Sequence, residues 1–144
     1  MPTPTRVDPY KNFNFRVEID GTAVAGFSEC GGLTSEVDVV EYREGQDGTV
    51  RKLPGLAKFS DITLKRGITV SNDLQNWFSN ILNGQPDRRN GAIILLDDQK
   101  HEVVRWSFSG AFPRKLEGPH LQAGGNEVAI ETIVLAVERL DWRS

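Results

Sequence analysis

The sequence predicts a mainly β fold, an antiparallel β-barrel or sandwich with one flanking α-helix. Three observations predict it. Apolar and polar residues alternate over most of the chain, which is the period of a half-buried strand. Asp-Gly and Gly-Gly pairs punctuate that alternation where the chain must turn. One segment alone, SNDLQNWFSNILNGQP, carries a helical stripe instead.

The 144 residues suit a single domain over 1–144, without repeats or low-complexity tracts. Residues 1–11 are rich in Pro and Thr and are expected to form an extended N-terminal arm. In NFNFRVEI, Phe13, Phe15, Val17 and Ile19 alternate with Asn14, Arg16 and Glu18, so this is the first strand. Asp20-Gly21 supplies a hairpin turn, and a short strand follows from Ala23 to Glu29 until Gly31-Gly32 breaks it.

The next strand runs from Thr34 to Glu44, with Val37 and Val39 on one face and Glu36, Asp38, Val40 and Tyr42 on the other. The stretch EGQDGTVRKLPG, residues 44–55, is full of turn formers and charge and reads as a long loop of the functional kind. A strand from Lys58 to Arg66 follows, its Ile62 and Leu64 facing away from Phe59, Asp61, Thr63 and Lys65.

The helix is expected over residues 73–83, because Leu74, Trp77, Phe78, Ile81 and Leu82 share one face. Asn72 with Gln75 resembles a capping box, and Gly84 with Pro86 ends the helix. GAIILLDD, from Gly91, is an apolar run suited to a strand covered on both faces, and Asp97-Asp98 before Gln99-Lys100 reads as a polar turn. HEVVRWSFSGAFPRKLEG is expected as two strand pieces divided near Gly110 to Pro113, with LQAGGNE as a break after it. Asn126 to Trp142 closes the chain as one long strand. Val128, Ile130, Thr132 and Val134 lie on one face, Ala129, Ile133, Leu135 and Val137 on the other, and a helix is the alternative.

Little in the chain points to chemistry. Cys30 is the one cysteine, which excludes an internal disulfide framework and a multi-cysteine zinc site. A nucleophilic cysteine needs a base, and His101 and His120 are distant in sequence. Cys30 reads as a small apolar residue at a strand end. GQDG and AGGN match no phosphate-binding loop, so no cofactor and no metal are expected, and no enzyme activity. The net charge of −3, without a basic stripe, argues against tight grip on a phosphate backbone. No signal peptide is expected from MPTPTRVDPYKNF, and no apolar run reaches the roughly 18–20 residues of a membrane helix, so the monomer is not expected to insert directly into a membrane. Strands with apolar residues on the wet face leave edges and patches that self-association would cover.

Four stretches carry a resemblance that spans nearly the whole chain in order. They are NFNFRVEIDG leading to VAGFSECGGL, SEVDVVEYREGQDGTVRKLPGLAKFSDITLKRGIT, the helix NDLQNWFSNIL, and GGNEVAIETIVLAVERL. The sequence resembles the tail-tube protein family of contractile phages and of phage-tail-like contractile injection systems. The resemblance implies a structural subunit of an inner tube. Six copies form a ring whose sheets join around a channel, and rings stack into a tube that a contracting sheath drives through an envelope. It implies a homo-hexamer with sheath, baseplate or tube-initiator and cap proteins as partners, effector or DNA in the lumen, and assembly in the bacterial cytoplasm into a virion tail or tail-like particle. The loop Glu44, Gly45, Gln46, Asp47, Gly48, Thr49, Val50, Arg51 and Lys52 is implied to reach an adjacent ring. Glu36, Asp38, Asp61, Thr63 and Lys65 are candidate channel-facing residues, with the face open because a one-residue slip reverses it. The alternatives are a tube-initiator paralogue at the baseplate junction, a soluble ligand-binding β-barrel with Trp77 and Phe78 in its pocket, and a Cys30-dependent enzyme.

Overall fold

A computed structural model describes residues 9–11, 14–46 and 48–143. Most of the expected N-terminal arm, Phe13 and Asp47 lie outside the described residues. The expected mainly β architecture with one helix holds, and the corrections concern where strands begin, end and pair.

Strands β1 (Phe15–Ile19) and β2 (Thr22–Val24) form a hairpin. Asp20 and Gly21 both have positive φ, 53° and 78°, the twist that a two-residue hairpin turn requires. The expected 23–29 strand is in fact two. The chain turns at Gly26 (φ 92°), and β3 (Phe27–Gly31) pairs with a different neighbour. Strands β4 (Ser35–Tyr42) and β5 (Arg51–Phe59) pair only with each other, as a separate hairpin. The loop expected over 44–55 is therefore shorter. Arg51 pairs with Tyr42 and Lys52 with Glu41, so only the turn formers before them make the loop. Pro54 is tolerated because β5 lies at an edge.

The expected Lys58–Arg66 strand also divides. β5 ends at Phe59, and β6 (Ile62–Gly67) returns to the main sheet. Gly32 marks the crossing at this junction: a Cβ there would sit 1.9 Å from the Asp61 carbonyl oxygen, and its φ is +88°. Helix α1 (Asp73–Leu82) matches its expected span. Its expected capping box does not form. Asn72 makes no side-chain cap bond, Asp73 accepts from the Leu74 N–H at 2.9 Å, and Gln75 donates elsewhere, to Glu131. Its C-terminus is closed by Gly84 (φ 80°), with Gln85 N–H donating to Asn80 O and Gly84 N–H to Ile81 O.

Strand β7 (Arg89–Leu96) is covered on both faces, as its apolar run predicts: Ile93 joins the main core, and Ala92, Ile94 and Leu96 are buried on the other side. Strand β8 (Glu102–Glu117) runs unbroken through the expected division at Gly110–Pro113. Gly110 absorbs the bend with φ 63°, which lets the chain stay paired. The long closing strand divides instead, into β9 (Ile130–Ala136) and β10 (Arg139–Arg143), both antiparallel to β8. No helix forms there.

The sheet order is β2-β1-β7-β8-β9-β6-β3, with β10 also on β8. The first half of β8 pairs with β7 and β10, the second half with β9. One strand thus belongs to two layers, β2-β1-β7-β8-β10 and β8-β9-β6-β3. The core lies between them and holds Val17, Ile62, Leu64, Ile93, Phe108 and Leu135. The outermost strands β2 and β3 are consecutive in the chain, so the open end of the barrel is bridged by Ala25-Gly26. Helix α1 inserts Leu74 and Trp77 into the same core. The Trp77 indole N–H donates to Asp87 O at 2.7 Å, and the Arg89 guanidinium lies 4.7 Å from the ring centre.

Candidate functional site: the assembly surfaces

The outward face of β6 carries Thr63 and Lys65, because Ile62, Leu64 and Arg66 take the inward positions. Register extends this face across the layer. Glu29 and Gly31 lie beside Lys65 and Thr63 on β3, Thr132 and Val134 on β9, and Lys115 and Glu117 beyond them on β8. Its charges pair among themselves: Lys65 lies 3.7 Å from Glu29 and Lys115 4.0 Å from Glu117. Asp61, in the turn before β6, accepts from Arg114 at 2.5 Å. The result is a polar wall with equal numbers of acidic and basic groups.

Glu36 and Asp38 do not share that wall. They lie on β4, where Glu36 pairs with Lys58 in register and Asp38 contacts the Lys58 ammonium at 3.0 Å. The five candidate channel-facing residues therefore divide: Thr63 and Lys65 lie on β6 with Asp61 in the turn before it, and Glu36 and Asp38 lie on the separate β4–β5 sheet. Alternation within a strand tells which residues share a face, but not which sheet the strand joins. Glu29, Lys115, Glu117 and Thr132 were not legible as wall residues for the same reason: only cross-strand register brings them beside Lys65.

The β4–β5 hairpin stands away from the core. Val37, Val39, Leu53 and Leu56 are 56%, 59%, 47% and 77% exposed. Glu44, Gly45, Gln46, Gly48, Thr49 and Val50 form its tip, Arg51 and Lys52 are strand residues, and Asp47 lies outside the described residues. Val37, Val39, Leu53 and Leu56 are large, apolar and left exposed by the other described residues.

Behind the wall, a buried charge cluster ties three elements together. Arg66 and Glu131, directly opposed on β6 and β9, are 2% and 4% exposed. Arg66 Nε donates to Glu131 Oε1 at 2.7 Å and Arg66 Nη2 to Asp73 Oδ1 at 2.8 Å, while Gln75 Nε2 donates to Glu131 Oε2 at 2.5 Å. Burial works against the charged guanidinium, but its bonds to Glu131 and Asp73 outweigh that and push the Arg66 pKa up. Burial likewise works against the Asp73 carboxylate, and its bonds from Arg66, Ser71 and the Leu74 N–H outweigh that and hold its pKa below the usual range. Sequence reasoning missed this cluster. The only signal was charge at inward positions of two apolar strands.

Cys30 packs against the core opposite Leu64, and burial pushes its thiol pKa up to about 11. At neutral pH almost none of it is thiolate. Native protein should therefore react with an aromatic disulfide reagent far more slowly than protein in denaturant, and Cys30→Ala should assemble normally; equal labelling rates would overturn this reading. Trp77 is 0% exposed and its N–H is satisfied, so it offers no face to a ligand. Among the described residues, no group of three or more His, Cys, Asp or Glu side chains is placed to hold a metal ion.

The chain as a whole is similar to known proteins. The chain is 28% identical to a chain of the PVC sheath–tube complex of an extracellular contractile injection system in its extended state, covering 94% of this chain and 92% of that one, with a TM-score of 0.86. It is 28% identical to a chain of the anti-feeding prophage tube-terminating cap, covering 99% and 96%, with a TM-score of 0.90. Hcp1 from Flavobacterium johnsoniae, at 14% identity and a TM-score of 0.57, covering 90% and 94%, shares the fold. No curated protein sequence matches the chain. The model of the T4-like virus tail tube protein gp19 family matches residues 11–141, nearly the full length. On that match the chain belongs to the T4-like virus tail tube protein gp19 family.

Proposed function

We propose that this chain is the repeating inner-tube subunit of a contractile injection system, assembled as homo-hexameric rings that stack around a channel. The observation that carries this is the pair of edges on the β8-β9-β6-β3 layer. Along Phe112–Glu117 the outer side of β8 has no strand partner among the described residues, and neither has the outer side of β3. Adjacent strands in the layer are all antiparallel. With four strands, the two edge strands run in opposite directions. Copies turned about one axis therefore meet edge to edge in antiparallel pairing, and ring closure removes every free edge of this layer.

Six such layers supply about two dozen strands at ~4.8 Å spacing, a circumference of roughly 115 Å and about 37 Å between opposite backbones. The wall bearing Glu29, Thr63, Lys65, Lys115, Glu117 and Thr132 then lines the channel. Its charges are mutually paired, so a polyanion or a protein finds no continuous stripe of one sign to hold it. Effector or DNA is the cargo class, and the chemistry of the wall suits passage rather than retention. Glu36 and Asp38 belong to the hairpin, which reaches the adjacent ring. Sheath, cap and baseplate proteins are the partners, and assembly precedes release in the bacterial cytoplasm. The role is structural, without turnover.

Light scattering of the purified chain should give a mass near six subunits or multiples of it, and negative-stain electron microscopy should show rings or tubes. A monomer persisting at high concentration, with neither rings nor tubes, would sink the proposal.

A further inference from the structure

The two free edges of the β4–β5 hairpin are unlike. Neither strand has a second strand partner among the described residues, so each presents a row of unpaired backbone groups. β4 is regular and acidic: it carries Glu36, Asp38 and Glu41, no base, and neither Gly nor Pro. β5 is basic, with Arg51, Lys52 and Lys58 and no acid. It is also interrupted. Val37 pairs with Ala57 but Val39 with Pro54, so Gly55 and Leu56 together oppose Asp38 alone, which is a β-bulge. A Cβ at Gly55 would lie 3.1 Å from both the Asp38 carbonyl oxygen and the Val40 side chain, so a larger residue there would crowd both. Pro54, next to the bulge, has no N–H. A proline keeps its place in a ladder where that N–H would face away from it. Directly opposed residues of an antiparallel pair either both face the ladder or both face away. Val39 and Pro54 are opposed, so Val39 turns to the free edge of β4 and Pro54 to the free edge of β5.

We propose that Pro54 and the Gly55–Leu56 bulge lock the β5 edge, so that the acidic β4 edge of another copy cannot add to it. Without them the hairpin would be a ribbon with one acidic and one basic edge. Such edges fit each other, as they already do inside the chain, where Glu36 opposes Lys58 and Glu41 opposes Lys52. Copies would join β4 to β5, head to tail, with nothing to stop the sheet from growing. Pro54 takes a donor from the middle of this edge. The bulge shifts the register there by one residue, so a regular incoming strand can match β5 on one side of it only. Like edges need no such lock, because two β4 strands bring carboxylates together and two β5 strands bring bases together. The lock stands apart from the tube reading: it concerns what an exposed hairpin is kept from doing.

Pro54→Val with Leu56 deleted tests this. It restores the donor and removes the extra residue, and leaves the pairs on both sides in their present register. It also removes an exposed leucine, so added association comes from the edge and not from apolar area. β4 and β5 pair only with each other, so circular dichroism should show the variant melting within a few degrees of the unaltered chain. In low salt the variant should form thioflavin T-positive fibrils by electron microscopy, where the unaltered chain forms none. Their growth should slow in ~0.5 M salt, which screens the acidic edge from the basic one. Adding Val39→Pro places the same block on β4 and should abolish the fibrils. Pro54→Val alone keeps every other residue and the bulge, and should form fibrils more slowly; it carries the test if the deletion lowers the melting temperature further. Fibrils from the unaltered chain, none from either variant, fibrils that persist with Val39→Pro, or growth that salt does not slow would each overturn the proposal.

Discussion

Trp77→Ala should lower the free energy of unfolding by about 4 kcal/mol, among the largest losses available to a single change in this chain. Trp77 is completely buried and is the largest side chain in the core. It is the peg that holds helix α1 against the two sheet layers. Its removal leaves a cavity in the close-packed core that the surrounding side chains fill only in part. It also leaves the Asp87 carbonyl without its donor and Arg89 without the ring beneath it. Urea unfolding followed by circular dichroism measures the loss. Trp77→Phe keeps most of the volume and should cost less than half as much. A loss below about 1 kcal/mol for the alanine variant would mean that the helix is not anchored through this residue.

Glu131→Ala should cost about 3–5 kcal/mol, because it strands the Arg66 guanidinium in the interior. Asp73 then stays as its acidic partner, at the rim of the cluster where its side chain is 44% exposed. Gln75 loses its acceptor as well. The reverse change, Arg66→Ala, should cost a comparable amount for the complementary reason, leaving Glu131 buried without a cation. Replacing the opposed pair together, Arg66→Met with Glu131→Leu, should recover most of the loss, since a buried pair contributes little over well-packed apolar residues. A double-mutant cycle reads this directly. If the double variant is as unstable as the sum of the single changes, the residues act independently and the cluster is not the tie between β6, β9 and α1.

Much of the fold was legible in the sequence, and the reasons are local. The β1 alternation, the Asp20-Gly21 turn, the core face of Leu74, Trp77 and Ile81 and the doubly covered β7 each follow from side-chain period or from a residue that tolerates positive φ, while Leu82, expected on the same stripe, is 70% exposed. What was not legible was where a strand changes partners. The chain from Ala23 to Glu29, that from Lys58 to Arg66 and that from Asn126 to Trp142 each alternate smoothly, yet each is divided between two pairings. Alternation reports that a segment is extended and says nothing of its neighbour. The opposite error occurred at Gly110–Pro113, where glycine and proline suggested a division but Gly110 only bends a strand that remains paired. The candidate channel residues divided for the same reason. Thr63 and Lys65 were placed by their own strand, whereas Glu36 and Asp38 depended on whether β4 joined the wall, and it does not. Arg66 and Glu131 were invisible because the reading of inward positions assumed apolar side chains there.

The unbroken course of β8 has a mechanical consequence. Its second half lies in the β8-β9-β6-β3 layer and its first half in the other layer, so a single backbone links the two. A load applied to one layer reaches the other as shear. Between layers joined only by side-chain packing, that shear would be resisted by contacts that slip one at a time. Here part of it passes along a covalent strand clamped by hydrogen bonds to neighbours in both layers. Sliding one layer over the other requires many of those bonds to break together. The bend at Gly110 thus stiffens the subunit against sliding of one layer over the other.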